Sequence, residues 1–459
     1  MNLLLIAWRN MQQRGLASVL TVVSMALGVA LVVMVLSISW LVTESFDRNS
    51  NVGCNLIVGS KGSPLQLTLN TIYYLSRPIE VLPYEDYLEF LPGDERQAMI
   101  KKIGGKIWDP DKAGIHSTTM KGGFAIPVCL GDYYGQFRVV GTTSMFFEKL
   151  RYGNQSDIEY RFAEGRNFLD ESPEHGFYEA VIGWQVAREM GKRVGDTFQL
   201  NHGDPEGEGH GQQFHIVGIV APTGTPNDRA AFVNLEGFLL LDKHSRAFEN
   251  PAIAGHALVD VQPDVPSTPK FAGRLPLGKR DLTAILLKPS SGFGAMRLEM
   301  AVNKSAHAMA TSPIQQIAIM LDFFVRPVQY ALLALTFLVC LVSAVSILVS
   351  IYNSMNERRR DIAVMRALGA RRDIVMAVIL LESLLIALLG GAAGWLMGHL
   401  AGFIASPLVE DRTGIRVGLL NATSSLELTL LPGIVVLATL AGIIPALVAY
   451  RTDVSKNLS

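Results

Sequence analysis

Asn356–Glu382 reads NERRRDIAVMRALGARRDIVMAVILLE and lies between two long apolar runs of the chain. Six arginines stand against three acidic residues between positions 356 and 373. Because excess positive charge beside membrane spans stays in the cytoplasm, we place this loop there. Apolar residues at three-residue spacing predict a short amphipathic helix that ends at a glycine. The residues concerned are Ile362, Met365, Leu368 and Gly369. Such a helix either offers its apolar face to a partner's groove or lies on lipid headgroups.

The composition of the 459-residue chain places it between soluble and membrane-embedded proteins. Hydrophobic residues make up 49% and charged residues 18%. This is too apolar for an ordinary soluble enzyme and too charged for a chain that is mostly embedded. The net charge of −1 gives no indication of nucleic-acid binding. We therefore expect an α-helical membrane protein that also carries a large α+β domain outside the cytoplasm.

Four apolar segments are predicted to cross the membrane, with both termini in the cytoplasm. The first, Ala17–Val42, has no charged residue and would span about 39 Å as a helix, against a hydrocarbon core of about 30 Å. The predicted segments are a cytoplasmic interfacial helix (1–16), span one (17–45), the α+β domain with its stalk (46–326), span two (327–352), the basic loop (353–373), span three (374–405), an outer loop (406–427), span four (428–450) and a cytoplasmic tail (451–459).

Short β patterns dominate the predicted α+β domain. Alternating or continuous apolar runs predict strands, and one segment predicts a strand that passes into a helix. These are Gln136–Val140, Thr197–Leu200, Phe214–Val220, Ala230–Val233 and, for the strand and helix, Glu179–Met190. A stalk helix is expected over Asn303–Asp322, with an interruption at Pro313. Cys54 and Cys129 both fall in this domain and could pair, or remain free thiols.

The amino-acid sequence of the basic loop resembles the corresponding sequence in a known family. ERRRDIAVMRALGA, followed by an apolar helix with Glu382 and a glycine-rich end, is similar to the signature of FtsX/MacB-type (type VII) ABC transporter permeases. The C-terminal AGIIPA with Tyr450 and Arg451 resembles that family's last helix. Short pieces of the α+β domain resemble the MacB-type periplasmic domain. These are 55–59, 139–141, 164–166, 180–183, 194–196 and 216–218.

The resemblance implies a role for the basic loop as the coupling helix that docks on a cytoplasmic ABC ATPase. The residues it assigns to coupling are Glu357, Arg358, Arg359, Asp361, Ile362, Met365, Arg366, Leu368 and Gly369. It also implies two ATPase copies and a homodimer, or a heterodimer with a similar permease, in the bacterial inner membrane. A periplasmic lipoprotein or adaptor is a further implied partner, and membrane lipid surrounds the spans.

Three functions compete at this stage. In the first, ATP hydrolysis moves the external domain, which exports or extracts a lipoprotein, lipid, peptide or metal-related substrate by mechanotransmission. In the second, the same movement regulates an external enzyme such as a cell-wall hydrolase. In the third, the chain is an external metal-binding receptor without an ATPase, which leaves the arginine-rich helix unexplained. The first two require the cytoplasmic ATPase and the third does not.

The chain is not expected to hydrolyse ATP itself. Gly273–Lys279 matches the first seven positions of a phosphate-binding loop, but Arg280 replaces the Ser or Thr that would hold magnesium. Leu275 and Pro276 also disfavour a tight phosphate cradle. We therefore expect no cofactor in this chain apart from a possible zinc ion, and expect ATP and Mg²⁺ to bind a separate ATPase.

Span three carries a second pattern of interest. Glycines recur every fourth residue, at Gly390, Gly394, Gly398 and Gly402. Small residues on one face let another helix approach closely, so we expect an interface within the subunit or across a dimer. General tolerance of glycine in membrane helices is the alternative. Glu382 is expected to face protein rather than lipid, as a structural hydrogen-bonding group or, less simply, a proton relay.

A histidine-rich stretch is the candidate metal site. HGDPEGEGH, residues 202–210, contains His202 and His210, and His215 follows. Imidazole and carboxylate ligands in a loop suit zinc or a similar ion. The spacing matches no defined zinc motif, and a solvated polar hairpin loop is the alternative.

Overall fold

A computed structural model describes residues 3–13, 15–50, 53–76, 78, 80–104, 112–153, 157–207, 209–241, 244, 273–357, 371–413, 433, 436, 439 and 443. The chain divides into two compact units. A helical unit comprises Met1–Glu44 and Asp322–Ser459, and an α+β domain comprises Ser45–Leu321. Residues 358–370 of the basic loop predicted at 353–373, most of the fourth span and the tail lie outside the described residues.

The helices vary from single turns to more than forty residues. They are α1 (Leu3–Gln13), α2 (Gly15–Ser50), α3 (Pro64–Thr71), α4 (Tyr84–Leu88), α5 (Gly93–Ile103), α6 (Ser117–Met120), α7 (Met145–Lys149), α8 (Trp184–Met190), α9 (Leu235–Leu239), α10 (Gly292–Val302), α11 (Pro313–Met320), α12 (Arg326–Glu357) and α13 (Arg372–Thr413). A π-helical turn, Leu321–Val325, separates α11 from α12.

The strands all belong to the α+β domain. They are β1 (Leu56–Ser60), β2 (Leu82–Pro83), β3 (Phe124–Tyr134), β4 (Phe137–Thr142), β5 (Arg151–Tyr152), β6 (Ile158–Glu159), β7 (Phe162–Gly165), β8 (Glu179–Ile182), β9 (Thr197–Asn201), β10 (Gly209–Val220), β11 (Ala230–Asn234), β12 (Asp281–Leu282), β13 (Ala284–Lys288) and β14 (Ala308–Thr311). The main sheet runs β14-β1-β13-β3-β4-β11-β8-β10-β7, and β9 pairs with β10 and β3.

Both faces of the main sheet are buried. On β1, Leu56 and Val58 enter one apolar cluster, while Ile57 between them enters another. The central strands consequently read as continuous apolar runs rather than alternating ones, because each face has a core to fill. The predicted strands at 197–200, 214–220 and 230–233, and the strand that passes into a helix at 179–190, are confirmed.

One expectation for this domain is wrong, and one alternative that the sequence left open is decided. Residues 303–322 do not form a stalk helix that Pro313 interrupts, because β14 occupies 308–311 and Pro313 begins α11. A proline at the first helical position is favourable, since the amide proton that it lacks would have no helical partner there. Cys54 and Cys129 are both free and buried, and belong to the two clusters on opposite faces of the sheet. Burial raises the pKa of each thiol to about 12.

Among the described residues, three segments are long and apolar enough to cross a membrane: Ser18–Ile38, Pro313–Val339 and Asp373–Pro407. The first and third lie within α2 and α13, and both helices extend beyond their apolar segments. Helix α1 lies against α13 and buries Ala7 and Met11.

Candidate metal centre

Four side chains of the α+β domain direct metal-ligating atoms toward a common point. They are Asp132, His202, His210 and His244, and one ligand atom from each lies within 4.8 Å of every other. Up to 112 residues separate them in sequence, since the first is Asp132 and the last is His244. The site therefore exists only through the pairing of β3, β9 and β10 and the segment after α9.

A β-bulge orients Asp132 into this cluster. Leu130 pairs with Val140 of β4, but Tyr133 pairs with Arg138, so two residues of β3 oppose one residue of β4. Bulges of this kind redirect a side chain relative to the regular strand alternation. Asp132 is consequently 1% exposed, as deeply buried as the apolar residues around it.

A second irregularity presents the two histidines of the β9–β10 hairpin. Two steps along β9, from Asn201 to Gln199, oppose four steps along β10, from Gly209 to Gln213, and His210 lies in the extra length. His202 directly follows β9. Because Asn201 also pairs with Tyr133 of β3, His202 is brought next to Asp132.

His244 completes the cluster from the segment that follows α9. Its Nδ1 lies 2.9 Å from the carbonyl oxygen of Phe238, and its ring packs on the Phe238 ring at 4.5 Å. A carbonyl oxygen only accepts hydrogen bonds, so Nδ1 must carry the proton. In the neutral imidazole, Nε2 then presents a lone pair toward Asp132. Metal-ligating histidines are oriented by this type of hydrogen bond.

The distances in the cluster are short. The nitrogens nearest to Asp132 lie 3.0 Å (His210), 3.3 Å (His244) and 3.5 Å (His202) from its oxygens. Nε2 of His244 and Nδ1 of His202 are 3.3 Å apart. Yet both Asp132 oxygens and Nε2 of His210 have no hydrogen-bond partner among the described residues. The atoms converge without the directionality of hydrogen bonds.

The charge state of Asp132 follows from its neighbours. Burial alone would raise the pKa of the Asp132 carboxyl, but His210 and His244 in their protonated form outweigh burial and lower this pKa well below its ordinary value. The carboxyl is therefore ionised at neutral pH. A buried anion surrounded by three imidazoles has the donor chemistry of a site for a divalent transition metal.

A cleft of about 380 Å³ gives access to the cluster from solvent. Asp132, His202 and His244 line it together with Cys129, Phe238 and Thr283. His202 is 39% exposed, while the side chains of His210 and His244 are 5% and 7% exposed. The cluster is thus open on the His202 side and closed on the others.

The structure brings together two of the three predicted histidines. His202 and His210 belong to the cluster, whereas His215 instead stacks on His175 with ring centroids 4.1 Å apart. His210 and His215 are five residues apart on one strand, and an odd separation places side chains on opposite faces. Of the acidic residues of the 202–210 loop, the described Asp204 and Glu206 do not supply the carboxylate, since both are exposed.

Asp132 and His244 were missed by sequence reasoning. Asp132 follows the buried run AIPVCLG, and an acid in the middle of a strand is a weak signal that it fills a core-facing position. His244 follows GFLLLDK, outside any recognised spacing. No local pattern links either residue to the loop at 202–210.

The predicted coupling residues lie almost wholly outside the described residues. Glu357 is the last residue of α12, and the others fall within 358–370. Glu382 is buried on α13, with 4% exposure.

All four glycines of the pattern in α13 lie within the described residues. A Cβ atom added at Gly390, Gly394 or Gly398 would lie 2.7 Å from a side-chain atom of α2. The α2 residues met are Met25, Val29 and Val33. These three glycines therefore lie where α13 and α2 approach most closely, whereas a Cβ at Gly402 would meet nothing within 4 Å.

The segment that mimics a phosphate-binding loop has a different role. Leu277–Lys279 forms a short 3₁₀ turn, and Leu275 and Leu277 are buried. Arg280 is fully buried and its guanidinium nitrogens lie 2.6 and 3.0 Å from the carboxylate of Glu236. The segment anchors the fold through an ion pair.

The described architecture defines a class: a membrane protein with apolar helices and a large α+β domain inserted after the first of them. Two family models match the chain. The MacB-like periplasmic core domain matches residues 18–267, and the FtsX-like permease C-terminal region matches residues 333–454. The chain belongs to the FtsX/MacB-type family of ABC transporter permeases, as the sequence resemblance predicted.

Similar proteins carry related names. An uncharacterized ABC transporter permease of Methanocaldococcus jannaschii is 22% identical over 336 residues, which is 72% of each chain. A macrolide export ATP-binding/permease protein MacB of Bordetella avium is 31% identical over 174 residues, 34% of this chain and 25% of that protein. A probable export ATP-binding/permease protein MacB of Pseudomonas entomophila is 29% identical over 150 residues, 30% of this chain and 22% of that protein. The similarity thus spans only about a quarter of these ATP-binding/permease proteins.

Proposed function

We propose that this chain is the permease subunit of an ABC transporter in which a separate cytoplasmic ATPase drives movements of the α+β domain on the other side of the membrane. Four spans place both termini and the basic loop at 353–373 inside. Two permease subunits and two ATPase copies form the working unit. The permease moves a lipoprotein, lipid, peptide or metal-related substrate at the external domain.

The main support for this proposal is that the chain belongs to the FtsX/MacB-type family. The relatives named ATP-binding/permease proteins combine an ATP-binding function with the permease in one chain. The archaeal relative, by contrast, is named a permease alone and aligns over most of its length. A permease subunit that works with a separate ATPase is consistent with both observations.

The charge of the basic loop supports its role in docking. Six arginines against three acids between positions 356 and 373 favour the cytoplasmic side. The apolar stripe formed by Ile362, Met365 and Leu368 is suited to a hydrophobic groove on a partner, which is how amphipathic helices commonly bind. Closure of two ATPases on ATP would displace this helix in each subunit.

Close packing of α2 and α13 supports transmission of that displacement. Gly390, Gly394 and Gly398 allow the two helices to approach at van der Waals distance. Tightly packed helices move as a unit, because closely packed side chains at an interface have few alternative conformations. We infer that a push on the loop that precedes α13 is passed to α2.

Co-purification tests the docking role. The chain is expressed with an ABC ATPase from the same genome, in wild-type form and with Arg359→Glu and Arg366→Glu together. We expect the double variant to recover at least about tenfold less ATPase, equivalent to about 1.4 kcal/mol, because two reversed charges repel the surface that the arginines would contact. Membrane insertion should be unchanged.

Arg9→Glu serves as the matched control. Arg9 is exposed on α1 and outside the loop, so its reversal should leave ATPase recovery unchanged. Equal recovery by the loop variant and the wild type would contradict the docking role. If the ATPase binds but its activity responds only to an external hydrolase, the chain is a regulator rather than a transporter.

A further inference from the structure

We propose that Asp132, His202, His210 and His244 bind one divalent transition-metal ion of the zinc class, as an exchangeable site of the α+β domain. This site goes beyond the proposed coupling to an ATPase and requires no nucleotide. It rests on the convergence of four donor atoms, on buried atoms that lack hydrogen-bond partners, and on the orientation of one imidazole.

The spacing of the donor atoms matches a tetrahedral ion. Donors about 2.0–2.1 Å from a tetrahedral zinc stand about 3.3–3.4 Å from one another. The three shortest nitrogen–oxygen distances to Asp132 are 3.0, 3.3 and 3.5 Å, and the His202–His244 nitrogens are 3.3 Å apart. The remaining pairs lie within 4.8 Å. Small side-chain adjustments would bring all four donors to bonding distance.

A hydrogen-bonded histidine–carboxylate network explains the site less well. Leaving a buried polar atom without a hydrogen bond costs about 1–3 kcal/mol. Asp132 and His210 together present three such atoms, both carboxylate oxygens and one ring nitrogen. A metal ion bonds to the ring nitrogen and to one of the carboxylate oxygens, and its positive charge compensates the buried carboxylate as a whole. These bonds require convergence on one point rather than the alignment of a hydrogen bond.

The tautomer of His244 adds independent support. The Phe238 carbonyl accepts from Nδ1, which leaves Nε2 as the atom that faces Asp132 and His202. A neutral imidazole in this state has a lone pair there and no proton. Nε2 is therefore prepared to bind a cation, and the Phe238 carbonyl holds the ring in the required orientation.

The donor set selects the class of metal. Three imidazoles and one carboxylate suit zinc and related transition ions, whereas Mg²⁺ and Ca²⁺ prefer sites made of oxygen atoms. Near-tetrahedral spacing favours Zn²⁺ over Cu²⁺ and Ni²⁺, which prefer square-planar or tetragonal arrangements.

Exposure indicates that the ion can exchange. Asp132, His210 and His244 form a buried three-donor base, with side chains at most 7% exposed. His202 is 39% exposed and lies in a hairpin turn beside the cleft. An ion would therefore enter from the cleft, bind the buried donors and be covered by His202.

The proposal is tested by zinc titration of the detergent-purified full-length chain after removal of metal with a chelator. Zinc bound per chain is measured by elemental analysis, and affinity by competition with a chromogenic chelator. We expect one Zn²⁺ per chain. Asp132→Asn, His210→Gln and His244→Gln should each weaken binding by at least about 100-fold, since second-shell changes alone can cost 10–100-fold.

His215→Gln is the matched control, because it removes a histidine of the same strand that stacks on His175 outside the cluster. It should change the affinity by less than about twofold. Absence of zinc from the wild type, or equal losses for His215→Gln and His210→Gln, would overturn the proposal.

A second measurement keeps the test valid if a buried variant fails to fold. His202→Ala alters a partly exposed turn, and we expect a folded protein with weakened, faster-exchanging zinc. Co²⁺ bound in place of zinc should give the strong visible absorption of a tetrahedral ion, and His202→Ala should change that spectrum. A six-coordinate Co²⁺ spectrum that is the same in both proteins would contradict the site. ATPase co-purification is unaffected by these outcomes, so this proposal and the coupling proposal fail separately.

Discussion

Two carboxylates of the α+β domain are almost completely buried, and they are used in opposite ways. Glu179 on β8 and Asp132 on β3 are 0% and 1% exposed. Arg166 donates to both oxygens of Glu179 at 2.7 and 2.9 Å, and the amide of Leu169 donates at 3.0 Å. Among the described residues, neither oxygen of Asp132 has a well-aligned hydrogen bond, and its nearest polar neighbours are imidazole nitrogens at 3.0–3.5 Å.

The two carboxylates also differ in what keeps them ionised. Burial would raise the pKa of Glu179, but hydrogen bonds from Arg166, Ser172 and Leu169 outweigh burial and lower it. At Asp132 the opposing groups are imidazoles, which can bind either protons or metal ions. A buried carboxylate such as Glu179, whose oxygens accept hydrogen bonds from its neighbours, has a structural role. A buried carboxylate such as Asp132, whose oxygens face the same point as several imidazole nitrogens, is arranged to bind a cation.

The largest expected effect that separates the two sites comes from Glu179→Gln. Hydrogen bonds to charged groups contribute about 1.5–3 kcal/mol, so we expect the free energy of local opening of β8 and β10 to fall by about 2 kcal/mol. Hydrogen exchange of the metal-free full-length protein, followed by mass spectrometry, measures this. Added zinc should not restore the loss.

Glu174→Gln is the control for that measurement, because its carboxylate is 79% exposed. A surface substitution of this kind should change opening by less than about 0.5 kcal/mol. If Glu179→Gln were equally mild, the Arg166–Glu179 pair would not be the structural element that its geometry indicates.

A smaller effect follows from pH. The pKa of Glu179 is lowered in the folded domain from an ordinary value of 4.5, so the fold favours the ionised form. This contribution is complete above the unfolded value and is lost as pH falls through the lower folded value. Protection of β8, corrected for intrinsic exchange rates, should therefore decline below about pH 4.5 in the wild type. In Glu179→Gln it should decline less over the same range, and parallel profiles would contradict this assignment.

The difference between the sites also explains what could be predicted from sequence. Strands such as 230–233 and the strand and helix at 179–190 were predictable because their patterns are local. Family membership was predictable from the contiguous sequence motif around residues 356–370. His202 and His210 were recognisable as candidates because eight positions separate them within one polar loop.

Asp132 and His244 were not predictable, for physical reasons. Asp132 reaches the cluster through a bulge in β3 and through the pairing of Tyr133 with Asn201, and neither leaves a local pattern. His244 depends on a hydrogen bond to Phe238, formed only once the chain has turned after α9. His215 lies outside the cluster because strand parity places it opposite to His210, and the sequence-based prediction did not take this parity into account.

The smallest expected effect is also the most discriminating. In metal-free protein at about pH 8, where imidazoles are neutral, Asp132→Asn removes a buried charge that has no well-aligned hydrogen bond, so we expect the opening free energy of β3 to change by less than about 1 kcal/mol, in either direction. Glu179→Gln, of equal burial, should cost more. Zinc should then increase protection of β3, β9 and β10 in the wild type and not in Asp132→Asn, because a ligand stabilises only the state that binds it. A metal-free loss at Asp132→Asn as large as at Glu179→Gln would mean that Asp132 is a structural anion held by protonated histidines, and the two carboxylates would then belong to one class.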